Sequence, residues 1–297
     1  MHLTKHHGLG NDFVVLLDAP GVQQVDPGLA RAVCDRRRGV GADGLLWATA
    51  GADGVDATMR LYNADGSRAE MSGNGIACLA QAAMLAGWAP LERIVVSTDA
   101  GVRVVTGAAG PVARSHRMRV DMGPAQIGDA APEWVDDDIA EARYVHVGNP
   151  HLVLRAAGAE AKVPLAERGR VVNDAVPGGV NVEVVTAGPG PDELTMEVYE
   201  RGVGITAACG TGACAAAVAA GAWGLTGARV VVHTKGGASE VSVGDVVHLG
   251  TIAVHVADIE YFDDLRGDLR GDLRGDLRGM TDGERHGAAP GAAGASS

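Results

Sequence analysis

Ser72-Gly73-Asn74-Gly75-Ile76-Ala77-Cys78-Leu79-Ala80 and Cys209-Gly210-Thr211-Gly212-Ala213-Cys214-Ala215-Ala216-Ala217 carry one pattern twice. Each opens with a hydroxyl or thiol residue, continues through Gly-x-Gly and runs into an alanine-rich segment with the composition of a helix. The spacing between the two copies is too long for a solenoid repeat and points to a duplicated domain, with equivalent helix starts facing one another across the interface.

Outward from these segments, apolar runs predict strands near Asp12 to Leu17, Gly44 to Ala48, Ala57 to Tyr62, Ile94 to Ser97, Val102 to Thr106 and Met118 to Met122. Asp26-Pro27 reads as an N-cap with proline at the first helical position, opening a helix that runs to about Arg38-Gly39, and a second helix is expected over Gly73 to Trp88. The pattern recurs with strands near Arg143 to Val147, Leu152 to Arg155, Val180 to Val185, Leu194 to Tyr199, Val230 to His233 and Ile252 to Val256, and a helix over Gly210 to Trp223. The expected organisation is an α plus β chain with a first domain over 1–115 and a second over 116–262, the last strand free to return to the first domain. Residues 263–297, where Gly-Asp-Leu-Arg recurs before an Ala, Gly and Ser-rich end, cannot make a core and are expected to be a disordered low-complexity tail.

The chain has 297 residues, room for one large or two medium domains, and a formal net charge of −12, which argues against nucleic acid and for a small-molecule partner. No apolar run is long enough to span a bilayer, and Met1-His2-Leu3-Thr4-Lys5-His6 lacks a signal-peptide core, so a cytoplasmic protein with no membrane partner is expected. Four cysteines, Cys34, Cys78, Cys209 and Cys214, have spacings that do not suit a zinc site and read as free thiols, with no metal called for.

Cys209 stands apart by its place at a helix start, where unpaired backbone N–H groups and the positive end of the dipole stabilise a thiolate or a substrate carboxylate. A glycine-rich turn leading into a packed helix with an inert cysteine fits that segment equally well. If Ser72 and Cys209 flank one pocket, two side chains bracket whatever carbon sits between them. That is what a racemase working without a cofactor needs, one group removing a proton from one face while another returns it on the opposite face.

The chain resembles the diaminopimelate epimerase family from Lys5 to about Tyr261. The resemblance is carried by His7-Gly8-Leu9-Gly10-Asn11-Asp12-Phe13, Arg38-Gly39-Val40-Gly41-Ala42-Asp43-Gly44, Asn63-Ala64-Asp65-Gly66-Ser67, Gly73-Asn74-Gly75, Gly148-Asn149-Pro150-His151, Asn181-Val182-Glu183 and Glu200-Arg201-Gly202-Val203-Gly204. It implies two pseudo-symmetric α/β domains, each a curled mixed sheet around a central helix, with the active site between them, and a homodimer that needs no cofactor. It further implies that Asn11, Asn63, Asn149, Asn181, Glu200 and Arg201 hold the substrate's polar groups. Gly73, Asn74, Gly210 and Thr211 would take its α-carboxylate, and His151 and Glu200 would tune the bases Cys209 and Ser72.

Ser72 is also the departure, because the family usually has cysteine at both base positions, and a hydroxyl is far harder to ionise than a thiol. Three readings stay open: a hydroxyl acid or relay working beside Cys209, drift to a one-base reaction such as elimination or a different epimerisation, and an introduced substitution. Ala77 stands where the family often has arginine, and Ile205 where it often has glutamate. The expected activity is epimerisation of LL- and meso-diaminopimelate. The alternatives are a related racemase or dehydratase of the same fold and a catalytically dead amino-acid-binding homologue.

Overall fold

A computed structural model of the chain describes residues 1–21, 23–158 and 161–262. The expected tail over 263–297 lies outside the described residues. His2 to Glu260 form one compact unit.

The first half builds a closed ring of strands around a helix. β1 (His2–Gly8) turns into β2 (Asn11–Leu17), and α1 (Pro27–Cys34) carries the chain over to β3 (Gly44–Ala50), parallel to β2. β4 (Ala57–Asn63) runs antiparallel to β3, β5 (Arg68–Ala69) is a two-residue return on β4, and α2 (Gly73–Leu85) follows. β6 (Ile94–Thr98) lies parallel to β4, and β7 (Gly101–Ala109) and β8 (Ser115–Gly123) continue antiparallel.

The second half repeats the scheme. β9 (Gln126–Ala130), β10 (Ile139–His146) and β11 (Pro150–Ala156) pair antiparallel, and α3 (Leu165–Ala175) crosses to β12 (Asn181–Ala187), parallel to β11. β13 (Glu193–Glu200) is antiparallel to β12, β14 (Gly204–Thr206) returns on β13, and α4 (Gly210–Ala222) follows. β15 (Arg229–Thr234) lies parallel to β13, β16 (Gly237–Ser242) pairs with β15, and β17 (Val247–Glu260) pairs with β16, then β8, then β1. β17 thus closes the first ring and edges the second array. The strand read from sequence only over Ile252 to Val256 is 14 residues long, and it pairs with β8 and β1.

α2 touches β1 to β4, β6 to β8 and β17, while α4 touches β10 to β13 and β15 to β17. Both helices are apolar around their circumference, as befits a helix enclosed by sheet. Gln81 and Asn74 are the polar exceptions on α2, and Gln81 is fully used: it bonds His6, the carbonyls of Arg114 and Ala253, and His116.

Sequence reading placed α2 and α4 to within a few residues and overextended α1. Asp26 caps α1 through the Leu29 N–H, but at Asp35 the carboxylate accepts from the Arg37 and Arg38 N–H groups and turns the chain out of the helix. β1, β5, β9, β14, β16 and α3 are elements that the apolar pattern did not reveal. No helix among the described residues is long and apolar enough to cross a membrane.

Candidate active site

The two helix starts meet. A Cβ built on Gly210 would lie 3.0 Å from both Gly73 Cα and Asn74 N, and one on Gly73 would lie 3.2 Å from Gly210 Cα. Only glycine permits this approach, and Leu249 of β17 packs its Cδ2 against both positions. The residues just before the contact are the two candidate bases. Ser72 caps α2 with φ −142° and ψ 122°, its Oγ accepting from Gly75 N at 3.0 Å, and Cys209 caps α4 with φ −133° and ψ 117°, its Sγ accepting from Gly212 N at 3.4 Å. Matching dihedrals and matching caps make the two positions local equivalents.

A cavity of about 400 Å³ opens beside these starts. Asn11, Asn63, Ser72, Asn149, Asn181, Glu200 and Arg201 all line it. Gly73, Asn74, Cys209, Gly210 and Thr211 are buried at the helix starts, and His151 is buried near Cys209. Asn74 Nδ2 has no hydrogen-bond partner among the described residues, while its Oδ1 accepts from Thr251 Oγ1 at 3.2 Å. A buried orphan donor at a helix N-terminus suits an anionic group, which adds to the unpaired backbone N–H groups there.

The lining asparagines are held by fixed partners. Asn11 Nδ2 donates to Asp43 Oδ2 at 2.9 Å, and Asp43 in turn accepts from Arg36, which also forks onto Asp12. Lys5 and Arg36 beside Asp12 hold its carboxyl down to about 2 against a burial cost. Asn181 donates to the Pro150 carbonyl and accepts from Arg201 N, so one side chain ties three segments together. Arg201 reaches across the cavity mouth to Glu70 at 3.3 Å. Asp43 and Glu70 both line the cavity and were not singled out from sequence. Their signal was available in principle, since both sit inside the quoted glycine-rich motifs or beside them, but an acidic residue in a polar turn reads as solvated surface.

The environment of Cys209 is acidic. Glu200, with its Oε1 accepting from Thr206 Oγ1 at 2.5 Å, is pushed up to about 7, first by burial and then by Asp43 and Glu183. Burial, Glu200 and Glu183 push the Cys209 thiol well up, opposed by hydrogen bonds from Thr211 and Gly212. His151 and Glu183 form a fully buried pair at 2.7 Å. At the equivalent place below Ser72 the chain has Phe13 and Leu46, whose apolar side chains offer no charge. Leu46 Cδ2 lies 3.4 Å from the Cβ position of Gly75, where Glu183 Oε1 lies 2.6 Å from that of Gly212.

The remaining cysteines are buried, and burial raises all three, Cys34 to about 12. Cys78 lies inside α2 and cannot stand in for Ser72. Ala77 is fully buried in α2 and Ile205 is half exposed on β14, and neither lines the cavity.

Comparison with known proteins agrees with this geometry. A sequence profile described as Diaminopimelate epimerase matches residues 3–128 and 143–258. The chain is 42% identical over 255 residues to a diaminopimelate epimerase of Pelotomaculum thermopropionicum, covering 80% of this chain and 89% of the relative. It is 37% identical over 267 residues to one of Synechococcus elongatus, covering 84% and 93%. Among solved structures, a predicted epimerase of Pseudomonas aeruginosa superposes with a TM-score of 0.68 at 16% identity, covering 88% of this chain and 99% of that one. A probable proline racemase of Agrobacterium radiobacter gives 0.65 at 16% identity, covering 91% and 99%. At such identities the structural likeness speaks for the fold.

Proposed function

The chain belongs to the diaminopimelate epimerase family, and from that premise we propose that it interconverts LL- and meso-diaminopimelate, one of Ser72 and Cys209 removing the α-proton while the other returns a proton to the opposite face. The family works without pyridoxal phosphate, so the electron pair left on the α-carbon must be stabilised by protein dipoles. The observation that carries the reading is the abutment of two capped helix starts, one capped by Ser72 on the cavity wall and the other by Cys209 buried next to it.

In one direction the Cys209 thiolate removes the α-proton and becomes a thiol, the electron pair spreads into the α-carboxylate, and the Ser72 hydroxyl delivers its proton to the opposite face. Serine is then an alkoxide, held by the Gly75 N–H and the α2 dipole until water reprotonates it, and the hydroxide so formed takes the proton from Cys209, restoring the thiolate. The reverse direction exchanges the roles. The α-carboxylate sits against Gly73, Asn74, Gly210 and Thr211, whose N–H groups and orphan amide face the developing charge. Asn11, Asn63, Asn149, Asn181, Glu200 and Arg201 take the remaining ammonium and carboxylate groups, with Arg201 leaving Glu70 for a carboxylate. His151 and Glu200 set the charge around Cys209.

Incubation of LL-diaminopimelate in heavy water tests this: meso product with one deuterium at an α-carbon is expected, and no exchange with no epimer refutes it. Ser72 itself favours a second reading, a one-base isomerase or dehydratase on another amino acid. Turnover of a β-hydroxy amino acid with none of diaminopimelate would establish that.

We also propose that the two repeats divide as domains over 1–115 and 116–262, that the protein works in the cytoplasm, and that it is a homodimer. The dimer is supported by a hollow of about 690 Å³ over β1, β2 and the end of α2, where Leu17, Leu85 and Trp88 meet solvent. Light scattering giving a monomer mass at micromolar concentration would refute the dimer.

A further inference from the structure

The asparagines that line the cavity are Asn11, Asn63, Asn149 and Asn181. Asn149 and Asn181 have both ends of the amide bonded to protein, the first to His151 and Thr211, the second to the Pro150 carbonyl and Arg201 N. Asn63 is tied through Nδ2 to Ser67 in an exposed turn. Asn11 is bonded at one end only. Its Nδ2 donates to Asp43 Oδ2 at 2.9 Å, the Asp12 N–H donates to that same oxygen at 3.1 Å, and Arg36 Nη2 holds the other oxygen, Oδ1, at 2.8 Å. Asn11 Oδ1 has no hydrogen-bond partner among the described residues. The residue is 5% exposed and lies on the cavity wall, so this oxygen is the end left for a ligand.

We propose that Asp43 is a positioning residue that turns the Asn11 amide oxygen toward the substrate and so makes Asn11 an acceptor for one of its ammonium groups. The inference rests on the epimerase reading of the cavity. A carboxylate that takes a backbone N–H on one oxygen and a guanidinium on the other accepts and does not donate, so the Asn11 amide can meet it only with Nδ2. No other contact among the described residues grips either end of that amide, and its direction comes from Asp43 alone. The remaining end can only accept. Both carboxylates of diaminopimelate are acceptors too, which leaves ammonium as the charged group that can bond there. Turned over, the amide would offer N–H and draw a carboxylate instead. The orientation of one side chain thereby decides which charge this wall takes.

Asp43 is itself fixed. Its N–H donates to Asp12 Oδ1 at 3.1 Å and its carbonyl accepts from Ala64 N at 3.0 Å, while Gly44, next along the chain, opens β3 opposite Phe13 of β2. Asn11 and Asp43 thus stand at the starts of two paired parallel strands, and the sheet holds them together.

Calorimetry with LL-diaminopimelate and with pimelate, the same seven-carbon chain with two carboxylates and no ammonium, separates orientation from general damage. Asn11→Leu, similar in shape but without the amide, weakens diaminopimelate binding about ten-fold, the size of one hydrogen bond to a charged group, and does not weaken pimelate. Asp43→Leu frees the amide and has the same effect on both ligands. Asp43→Asn removes the same charge but can still place an oxygen where Asn11 Nδ2 and the Asp12 N–H donate, and it recovers most of the affinity. The Asn11→Leu/Asp43→Leu double variant is no weaker than the weaker single one, because Asp43 acts through Asn11. Unchanged diaminopimelate binding in Asn11→Leu, pimelate weakened alongside diaminopimelate, an Asp43→Asn protein as weak as Asp43→Leu, or losses that multiply in the double variant overturns the proposal; the first two decide it even where Asp43→Leu fails to fold. An unmodified protein that does not bind diaminopimelate refutes both readings, whereas binding without α-deuterium exchange refutes the epimerase reading alone.

Discussion

Replacing Gly210 by alanine would set a Cβ 3.0 Å from Gly73 Cα and from Asn74 N, and 2.7 Å from Leu249 Cδ2. The leucine methyl can rotate away, but the two backbone atoms belong to the start of α2 and cannot. Carbon atoms rest about 3.5–4.0 Å apart, so the helix starts must separate by roughly 0.5 Å or more. Overpacking of this kind costs about 1–3 kcal/mol, or about 3–10 °C in melting temperature for a unit of this size. The kinetic cost is larger in proportion, because Ser72 and Cys209 ride on the helices being pushed apart and a 1 Å misplacement costs about 100-fold. Gly210→Ala is therefore expected to lower α-deuterium exchange about ten-fold or more while the protein stays folded. Gly221→Ala is the control: a Cβ there, inside α4, meets only the Thr226 carbonyl at 4.0 Å. It should gain about 0.5–1 kcal/mol and leave the rate alone. A Gly210→Ala protein that melts lower yet exchanges deuterium at the unmodified rate would show that the abutment is packing alone.

Ser72→Cys restores a thiol to a capped helix start and should raise the epimerisation rate at least about ten-fold at pH 8, read by the LL to meso assay; an unchanged rate would mean that Ser72 carries no proton. Glu200 is raised from 4.5 to about 7, so the folded protein holds a proton there that the unfolded chain releases. Its contribution to stability is present below pH 4.5 and is lost as pH rises to about 7, and urea midpoints for Glu200→Gln should lack that decline. Arg201→Ala removes an ion pair that is about a third exposed at one end and half exposed at the other, worth about 0–1 kcal/mol. The melting temperature should stay within a few degrees while KM for diaminopimelate rises, and an unaltered KM would remove Arg201 from the binding set.

The elements legible in the sequence are those whose residues advertise their own conformation. Gly-x-Gly followed by alanine marked the starts of α2 and α4, and both stand where expected because an enclosed helix needs small apolar residues throughout. β1 escaped notice because His2-Leu3-Thr4-Lys5-His6-His7 is polar. It is a strand because β2 and β17 pair with it on both sides, and its histidine and lysine find partners in Gln81 and Asp12. α3 begins at Pro164 without a side-chain cap and buries only Leu165, Gly169 and Val172, too few to show a helical stripe. At the site, the asparagines and helix starts were visible as motifs. The contribution of Leu249 was not, since its contact with Gly73 and Gly210 exists only after the sheet closes. Glu183 stood inside a quoted motif without a role, because its buried pairing with His151 exists only once β11 and β12 lie side by side.

The 14-residue β17 lies between β1 and β8, both of them far from it in sequence, pairing Leu3 with Ile259 and Val120 with Leu249. During synthesis the first ring therefore cannot shut when the residues of its first half have emerged, because one of its staves, β17, follows every other strand among the described residues. Until then β1 and β8 present raw edges to other nascent chains, and contacts across so much sequence close slowly. Folding of both halves should complete in a single late step once β17 has emerged, with chaperone demand concentrated before it.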